Sequence, residues 1–579
     1  MAVAGDLVVV VRPDGPGLAE ALRNAAPADV VVIDGDLVRE PSWDAALLGA
    51  ARERTDVATV IPSANIAGPR SVIAATDSRY ILLTRRALNV VGFGENDSVA
   101  DFARRATDNG FVHVRAGDVV VPGAAADGTA IGVLDRAIPR VAKTVPEGVR
   151  KAVDPDRLVV GIDAELINAS LTGTFEAGLA ISLALSHQPG IAAVYWIAQP
   201  DRVDALSELL DAKGVTSITV VTLEQLVIDG VPIDVGFRPY QDFLARTWPL
   251  ISRYSARNVV WTLDLIANVT PSYAKSVADY HRLNRTSAQA WENADAIGVL
   301  TAHVGSMLEA YQGGEPDSRI FVLPAGAPED TAGDPGGPFD DEELQPLDGR
   351  PFVLVLGNNY RHKGRAWFIR IARIVLGRGW GGSFVFVGPT PSFGSSTALE
   401  AAELEMGDAS AFIIAGRVGS ADRARLLARA TLTAAPSVTE GWGMTPSEAL
   451  AHGSTPLASL GGGLRDITPK DARHLLMSDD AADADTLEEL LVDEAARTGQ
   501  RSAWLRGMER YTWDAAAATL VQRMRETLTS PRHFAALVRD EDVALDPVRP
   551  LHWRILDRVL PQGGRFRASV ARGVRALRR

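Results

Sequence analysis

The residues best suited to chemistry cluster late in the chain. The run Pro436-Ser437-Val438-Thr439-Glu440-Gly441-Trp442-Gly443-Met444-Thr445-Pro446-Ser447-Glu448 sets two carboxylates, Glu440 and Glu448, on either side of a glycine-containing turn. Carboxylates accept hydrogen bonds from vicinal hydroxyls. Gly441 and Gly443 let the backbone approach a ligand closely. A helix is expected to start near Pro446, so Met444 and Thr445 sit where N–H groups and a positive dipole end can hold a phosphate. The set suits a ligand that carries both phosphate and sugar. Read alone, it equally fits a tight turn with surface carboxylates.

A second loop, Gly357-Asn358-Asn359-Tyr360-Arg361-His362-Lys363-Gly364, supplies cations. Arg361 and Lys363 suit a diphosphate. Lys363 is one of only six lysines in a chain with 53 arginines, so habitual usage is a poor explanation for it. His362 reads as part of a solvated loop face. Gly416-Arg417-Val418-Gly419 and Gly461-Gly462-Gly463 are two further glycine loops. Four such loops converging on one sheet edge are far more specific than any one of them.

Short apolar runs position these loops. Phe352–Leu356, Ser383–Val387, Ala411–Ala415, Thr431–Ala435 and Thr455–Ser459 read as buried parallel strands, each followed by one of the loops or a helix. The loop 436–443 therefore lies at the carboxyl end of a strand, where doubly wound sheets bind ligands. A helix around Trp513–Leu528 is expected to close this unit. A second α/β stretch has expected strands at Leu158–Ile162, Ala193–Ile197, Ser217–Val221, Asn258–Leu263, Ala296–Leu300 and Arg319–Leu323. A first has them at Leu7–Val11, Asp29–Ile33, Val57–Ile61, Tyr80–Leu83 and Phe111–Val121. Residues 325–350, rich in Gly, Pro and acids, read as a linker.

Composition narrows the function classes. The 579 residues are 46% apolar and 23% charged, which excludes a mostly disordered chain. No cysteine is present, so thiolate metal sites, disulfides and cysteine nucleophiles are excluded. A formal charge of −13 argues against a nucleic-acid partner. No apolar run is long enough to span a bilayer.

Residues 352–525 resemble the donor-binding domain of family 4 glycosyltransferases, which have the GT-B fold. The resemblance rests on Lys363-Gly364, Gly416–Leu427, Pro436–Gly453, Gly461–Ile467 and Tyr511-Thr512-Trp513, with Glu440 and Glu448 matching the family's E-x7-E signature. It implies a nucleotide-sugar donor and transfer with retention, without a metal or other cofactor. Glu440 would contact the donor sugar, Glu448 the ribose, and Arg361 and Lys363 the leaving diphosphate. Gly357, Arg417, Val418, Gly441, Gly443, Met444 and Thr445 would complete the donor site. The family often has Arg directly after the first strand's glycine, and here Asn358 stands there. Residues 158–325 resemble the acceptor domain more loosely. Leu171-Thr172-Gly173-Thr174 corresponds to a glycine loop near the donor, and Trp261-Thr262-Leu263-Asp264-Leu265 to a His-Asp segment whose His is replaced by Leu263. Gly173, Thr174 and Asp264 are thus the acceptor-side candidates. Asp264 equally suits a helix cap.

Residues 6–122 resemble a shortened family 2 GT-A domain, through Asp29–Asp36, Pro41-Ser42-Trp43, Tyr80–Phe93 and Asp101–Gly110. Asp34-Gly35-Asp36 looks like a metal-binding D-x-D, though a charged turn is the simpler reading. The acidic pair expected before Asp101 reads Ser98-Val99, and no His follows Asp118–Val121. This domain is therefore expected to be degenerate, serving acceptor binding or assembly.

The expected architecture is α/β: two doubly wound Rossmann-like domains in a GT-B arrangement, preceded by a truncated GT-A-like domain. The divisions are 1–125, a linker at 126–155, an acceptor domain at 156–345, a donor domain at 346–529 and a basic tail at 530–579. The expected activity is retaining transfer of a sugar from a nucleotide-sugar donor to a surface glycan or lipid-linked glycan. The rivals are a bifunctional two-site transferase and a non-catalytic nucleotide-sugar-binding scaffold. From Arg549 to Arg579 the tail holds nine arginines and one acid, Asp557. On a helix, Phe566, Val570, Val574 and Leu577 fall within a sector of ~80°. Such a helix suits an anionic membrane; a basic arm folded on the acidic body is the alternative. The expected location is cytoplasmic, peripheral on the inner face of a bacterial cell membrane.

Overall fold

The computed structural model describes residues 2–4, 7–11, 17–26, 28–33, 47–51, 57–63, 71–73, 80–94, 97–120, 154–167, 173–240, 247–327 and 336–533. Asp34, Asp36, Pro41-Ser42-Trp43, Leu171-Thr172, residues 126–153 of the expected linker and the basic tail beyond residue 533 lie outside the described residues.

Three sheets organise the described residues. The third is all parallel, ordered Phe412–Ala415, Ser383–Val387, Phe352–Leu356, Leu432–Ala435 and Pro456–Ala458. Its strands are runs such as FVLVL and SFVFV, apolar on both faces because helices cover both. The winding direction reverses between Phe352–Leu356 and Leu432–Ala435, which pair with Val353 opposite Leu432 and Val355 opposite Ala434. A crevice opens beyond the carboxyl ends of two strands so related. The loops 357–364 and 436–443 leave from those two ends.

The second sheet is also all parallel: Ile218–Val221, Ile191–Ile197, Leu158–Asp163, Val235–Arg238, Arg257–Thr262, Ala296–Val299 and Ile320–Val322. Val235–Arg238 is a strand that the sequence did not announce. Its four residues, VGFR, include a glycine and an arginine, which hide the apolar run. The first sheet is mixed, with parallel pairs Leu7–Val11 with Asp29–Ile33 and Val57–Ser63 with Val112–Val120, and antiparallel edges Ala2–Ala4 and Ser71–Ile73.

Packing departs from the sequence expectation in two places. The helix Trp513–Thr529 follows the third unit in sequence but packs on the second. Ala517, Leu520 and Met524 join Phe175 and Leu185 in one buried cluster, Trp513 meets Trp261 edge-on at 6.4 Å, and Arg257 Nε donates to Thr527 O at 2.6 Å. The helix returns to the second unit, a non-local choice that its own periodicity does not encode. Residues 336–350 are likewise built into the third unit rather than spanning between units. Phe339, Leu344 and Leu347 are buried against Leu354 and Val385, and Asp422 accepts the N–H groups of Asp340 and Asp341 at 2.9 Å each.

The first unit shares cores with both others. Leu88, Phe102 and Phe111 lie in one buried cluster with Phe368, Val438 and Met477, while Val31, Leu47 and Val114 lie in another with Trp248, Val260 and Met307. Along strand Asp29–Ile33 the alternation of faces sends Val30 and Val32 to the former and Val31 to the latter. Among the described residues, no helix is long and apolar enough to cross a membrane.

Candidate active site

Lys363 and Glu440 meet where the third sheet's winding reverses. Lys363 Nζ donates to Glu440 Oε1 at 2.6 Å, and Ser437 Oγ donates to the same oxygen at 2.7 Å. Their side chains are 27% and 13% exposed, so the pair is reachable from the crevice yet partly desolvated. Burial alone would raise the Glu440 carboxyl, but the Lys363 ammonium and the Ser437 hydroxyl outweigh it and hold it below its ordinary value. The carboxylate is therefore ionised, an acceptor for hydroxyls.

Glycines make this meeting possible. Gly364 has φ +66°, and a Cβ there would lie 2.0 Å from Pro436 O. Behind the Glu440 loop, Gly463 N donates to Glu440 O at 2.7 Å, and a Cβ on Gly461 would stand 2.1 Å from Ser437 O. The Gly461–Gly463 run thus works as a flat backing that lets two backbones touch. Gly443, at φ +88°, turns the chain into the helix Met444–Ala451, which no side chain among the described residues caps.

Glu448 lies in that helix and pairs with Arg423 at 2.9 Å, a partner the sequence reading missed. Arg423 follows the Gly416–Gly419 loop by one helical turn, and it was hidden among many arginines. Across the crevice Glu176, in the first turn of Gly173–Ser186, has its carboxyl raised by burial and then by Glu448. Gly173 comes to the start of the helix Met444–Ala451: a Cβ there would lie 3.7 Å from Met444 Cγ. Thr174 follows it in the same helix start. Asp264 is adjacent too, since a Cβ on Gly441 would fall 1.9 Å from Leu263 O and 2.9 Å from Asp264 Cβ. Asp264 Oδ1 also accepts Ile266 N–H at 2.8 Å, just before the short helix Ile266–Val269, so the side chain is tied to the local backbone where it borders the site.

Other candidates are less central. Arg361 is turned from Glu440, with Nη1 3.4 Å from Asp108 of the first unit and Nε donating to Ser395 O at 3.2 Å. Gly357, at φ +131°, lies near Lys363, a Cβ there being 3.9 Å from its Cε. Arg417 is exposed after the edge strand Phe412–Ala415, and Val418 packs on the unit's core.

His362 differs most from expectation. It is 5% exposed, not solvated. Its Nδ1 lies 2.7 Å from Tyr273 Oη, its backbone N–H donates to that same oxygen at 3.0 Å, and its carbonyl accepts Val438 N–H at 2.6 Å. Burial, then Lys363, lower its pKa to about 3, so the ring is neutral. Its neighbours come from other units, which no local pattern reveals.

Comparison with known proteins finds one matching family model and several similar folds. Residues 350–493 match the family model described as Glycosyl transferases group 1. Lys363, Arg423, Glu440, Glu448 and Gly461–Gly463 all fall inside the matched segment, and Gly173 and Asp264 outside it. Among solved structures, the chain is similar to the N-terminal domain of Candida albicans trehalose-6-phosphate phosphatase (14% identity, 66% of this chain and 99% of that one, TM-score 0.47). It is also similar to an α,α-trehalose-phosphate synthase (UDP-forming) from Burkholderia xenovorans in complex with glucose-6-phosphate (12%, 64% and 100%, TM-score 0.45). A third is Anabaena HepE in complex with UDP and glucose (15%, 65% and 100%, TM-score 0.46). No curated protein matches the chain.

Proposed function

We propose that this chain is a glycosyltransferase that moves a sugar from a nucleotide-sugar donor to a hydroxyl of a glycan or lipid-linked glycan, with retention and without a metal. The Lys363–Glu440 pair carries the reading: a cation and an ionised carboxylate at 2.6 Å, at the winding reversal of a parallel sheet and beside an uncapped helix start. The bond from the anomeric carbon to the diphosphate oxygen breaks, a bond to the acceptor oxygen forms, and the acceptor's hydroxyl proton passes to the departing diphosphate oxygen. Negative charge grows on the diphosphate, and Lys363 with the N–H groups of the first turn of Met444–Ala451 would stabilise it. Arg361 would need to leave Asp108 to join them. Glu440 would accept sugar hydroxyls and Glu448, held by Arg423, the ribose. Gly173, Thr174 and Asp264 would border the acceptor.

The family 4 assignment, the donor and acceptor division of the two parallel-sheet units, the degenerate GT-A character of the first unit, and a cytoplasmic, envelope-directed role belong to the same reading. Transfer assays over a panel of nucleotide sugars, with and without chelator, test it. Transfer from at least one donor that survives chelator is expected. Binding without turnover across the panel would favour the scaffold, and loss on chelation restored by manganese would favour a metal-dependent second site.

A further inference from the structure

All three units converge on one residue beside the proposed catalytic pair. From the first unit, the Asn109-Gly110 turn lies flat on His362. Gly110 has φ +87°, and a Cβ there would be 2.6 Å from His362 Cβ and 3.3 Å from Thr439 Cγ2. From the second unit, Tyr273 packs against Tyr360, ring centroids 4.8 Å apart and planes tilted by 33°, and reaches His362 with its hydroxyl. Because Tyr273 Oη accepts the His362 backbone N–H, its own proton is directed to Nδ1, which fixes the ring with hydrogen on Nε2. From the third unit, the His362 carbonyl takes Val438 N–H, tying the two site loops together. Lys363 is the next residue after His362, and Glu440 is two beyond Val438. The first unit grips the second loop independently, with Arg86 donating to Ser437 O at 3.4 Å and to Val438 O at 3.5 Å. The charged and titratable groups around the ring are Tyr273, Tyr360, Lys363, Glu440 and the Arg361–Asp108 pair.

We propose that His362 is a positioning residue, through which Tyr273 and the first unit's Gly110 turn set the place of Lys363 against Glu440 and so the affinity for the donor diphosphate. This rests on the glycosyltransferase reading and assigns the first unit a task within it. A static contact would leave diphosphate affinity untouched, whereas a positioning contact transmits its loss to Lys363. A misplacement of about 1 Å costs up to roughly 100-fold in comparable sites.

Calorimetric titration of the full chain with UDP, GDP and ADP tests it. Tyr273→Phe and His362→Ala should each weaken the nucleoside diphosphate that wild type binds by about 10- to 100-fold. His362→Asn, whose amide oxygen can accept the Tyr273 hydroxyl in place of Nδ1, should recover most of the affinity. Tyr273→Phe combined with His362→Ala should lose little more than Tyr273→Phe alone, since Tyr273→Phe already breaks the ring contact that His362→Ala removes. Wild-type affinity in Tyr273→Phe, or equal losses in His362→Asn and His362→Ala, overturns the proposal. Should His362→Ala fail to fold, Tyr273→Phe, which removes one oxygen, decides alone. If wild type binds none of the three nucleotides, the donor reading itself fails and the positioning role falls with it.

Discussion

At the scale of the residue, Lys363 and Glu440 form one unit. They neutralise each other at 2.6 Å, and removing either leaves a partly buried charge unpaired. Lys363→Ala and Glu440→Ala should each lower transfer by about 100- to 1000-fold. The double variant should lose little more than the worse single one, because members of one constellation are not additive. Comparison of kcat/KM across the four proteins checks this, and additive losses would separate the roles. Acid stability is argued at the same scale. His362 titrates at about 3 in the fold, below its ordinary 6.5, so the stability it contributes is present above pH 6.5 and is lost on acidification. Glu440, held low, acts in the same direction below its ordinary 4.5, whereas Asp483, raised to about 6, opposes both between 6 and 3.8. Between pH 7 and pH 5 wild type should lose about 2 kcal/mol more stability than His362→Asn, from one proton taken up on unfolding. Urea unfolding at the two pH values measures the difference.

At the scale of the element, glycines separate into those that touch and those that do not. A Cβ on Gly461 would sit 2.1 Å from Ser437 O, while one on Gly416 meets nothing within 4 Å. Gly461→Ala should therefore displace the Glu440 loop and cut transfer strongly. Gly416→Ala, in a glycine loop of similar appearance, should stay within about 0.5 kcal/mol of wild-type stability. Thermal unfolding and transfer rates of the pair give the contrast. The same contrast marks how far the sequence was legible. Strands such as Phe352–Leu356 and Ser383–Val387 could be read to the residue, since parallel strands buried on both faces are unbroken apolar runs. The Glu440, Glu448 and Lys363 loops were readable because glycine beside charge is an unusual local signal. Arg423, His362 and Tyr273 were not, since their meaning depends on partners 25, 89 and 89 residues away. Val235–Arg238 escaped because Gly236 and Arg238 break its apolar run.

At the scale of the whole molecule, the first unit is an integral part, its core continuous with both parallel-sheet units. The basic segment 549–579 adds a surface-seeking element in the proposed reading. Full-length protein should sediment with anionic vesicles at low salt and much less at high salt, while a chain ending near Val548 should stay in solution, each nearby arginine contributing about 1 kcal/mol before screening. Equal behaviour of the two proteins would dismiss the membrane role without touching the catalytic one. The central claim is that Lys363, beside Glu440, receives a nucleoside diphosphate without help from a metal. Its most direct test is calorimetric titration of wild type and Lys363→Ala with UDP and GDP in the presence of chelator. The account predicts that wild type binds at least one of them and that Lys363→Ala binds it at least about tenfold more weakly, a loss of about 1.4 kcal/mol or more. Equal affinity in the two proteins, or binding by wild type only when a divalent metal is restored, would contradict it.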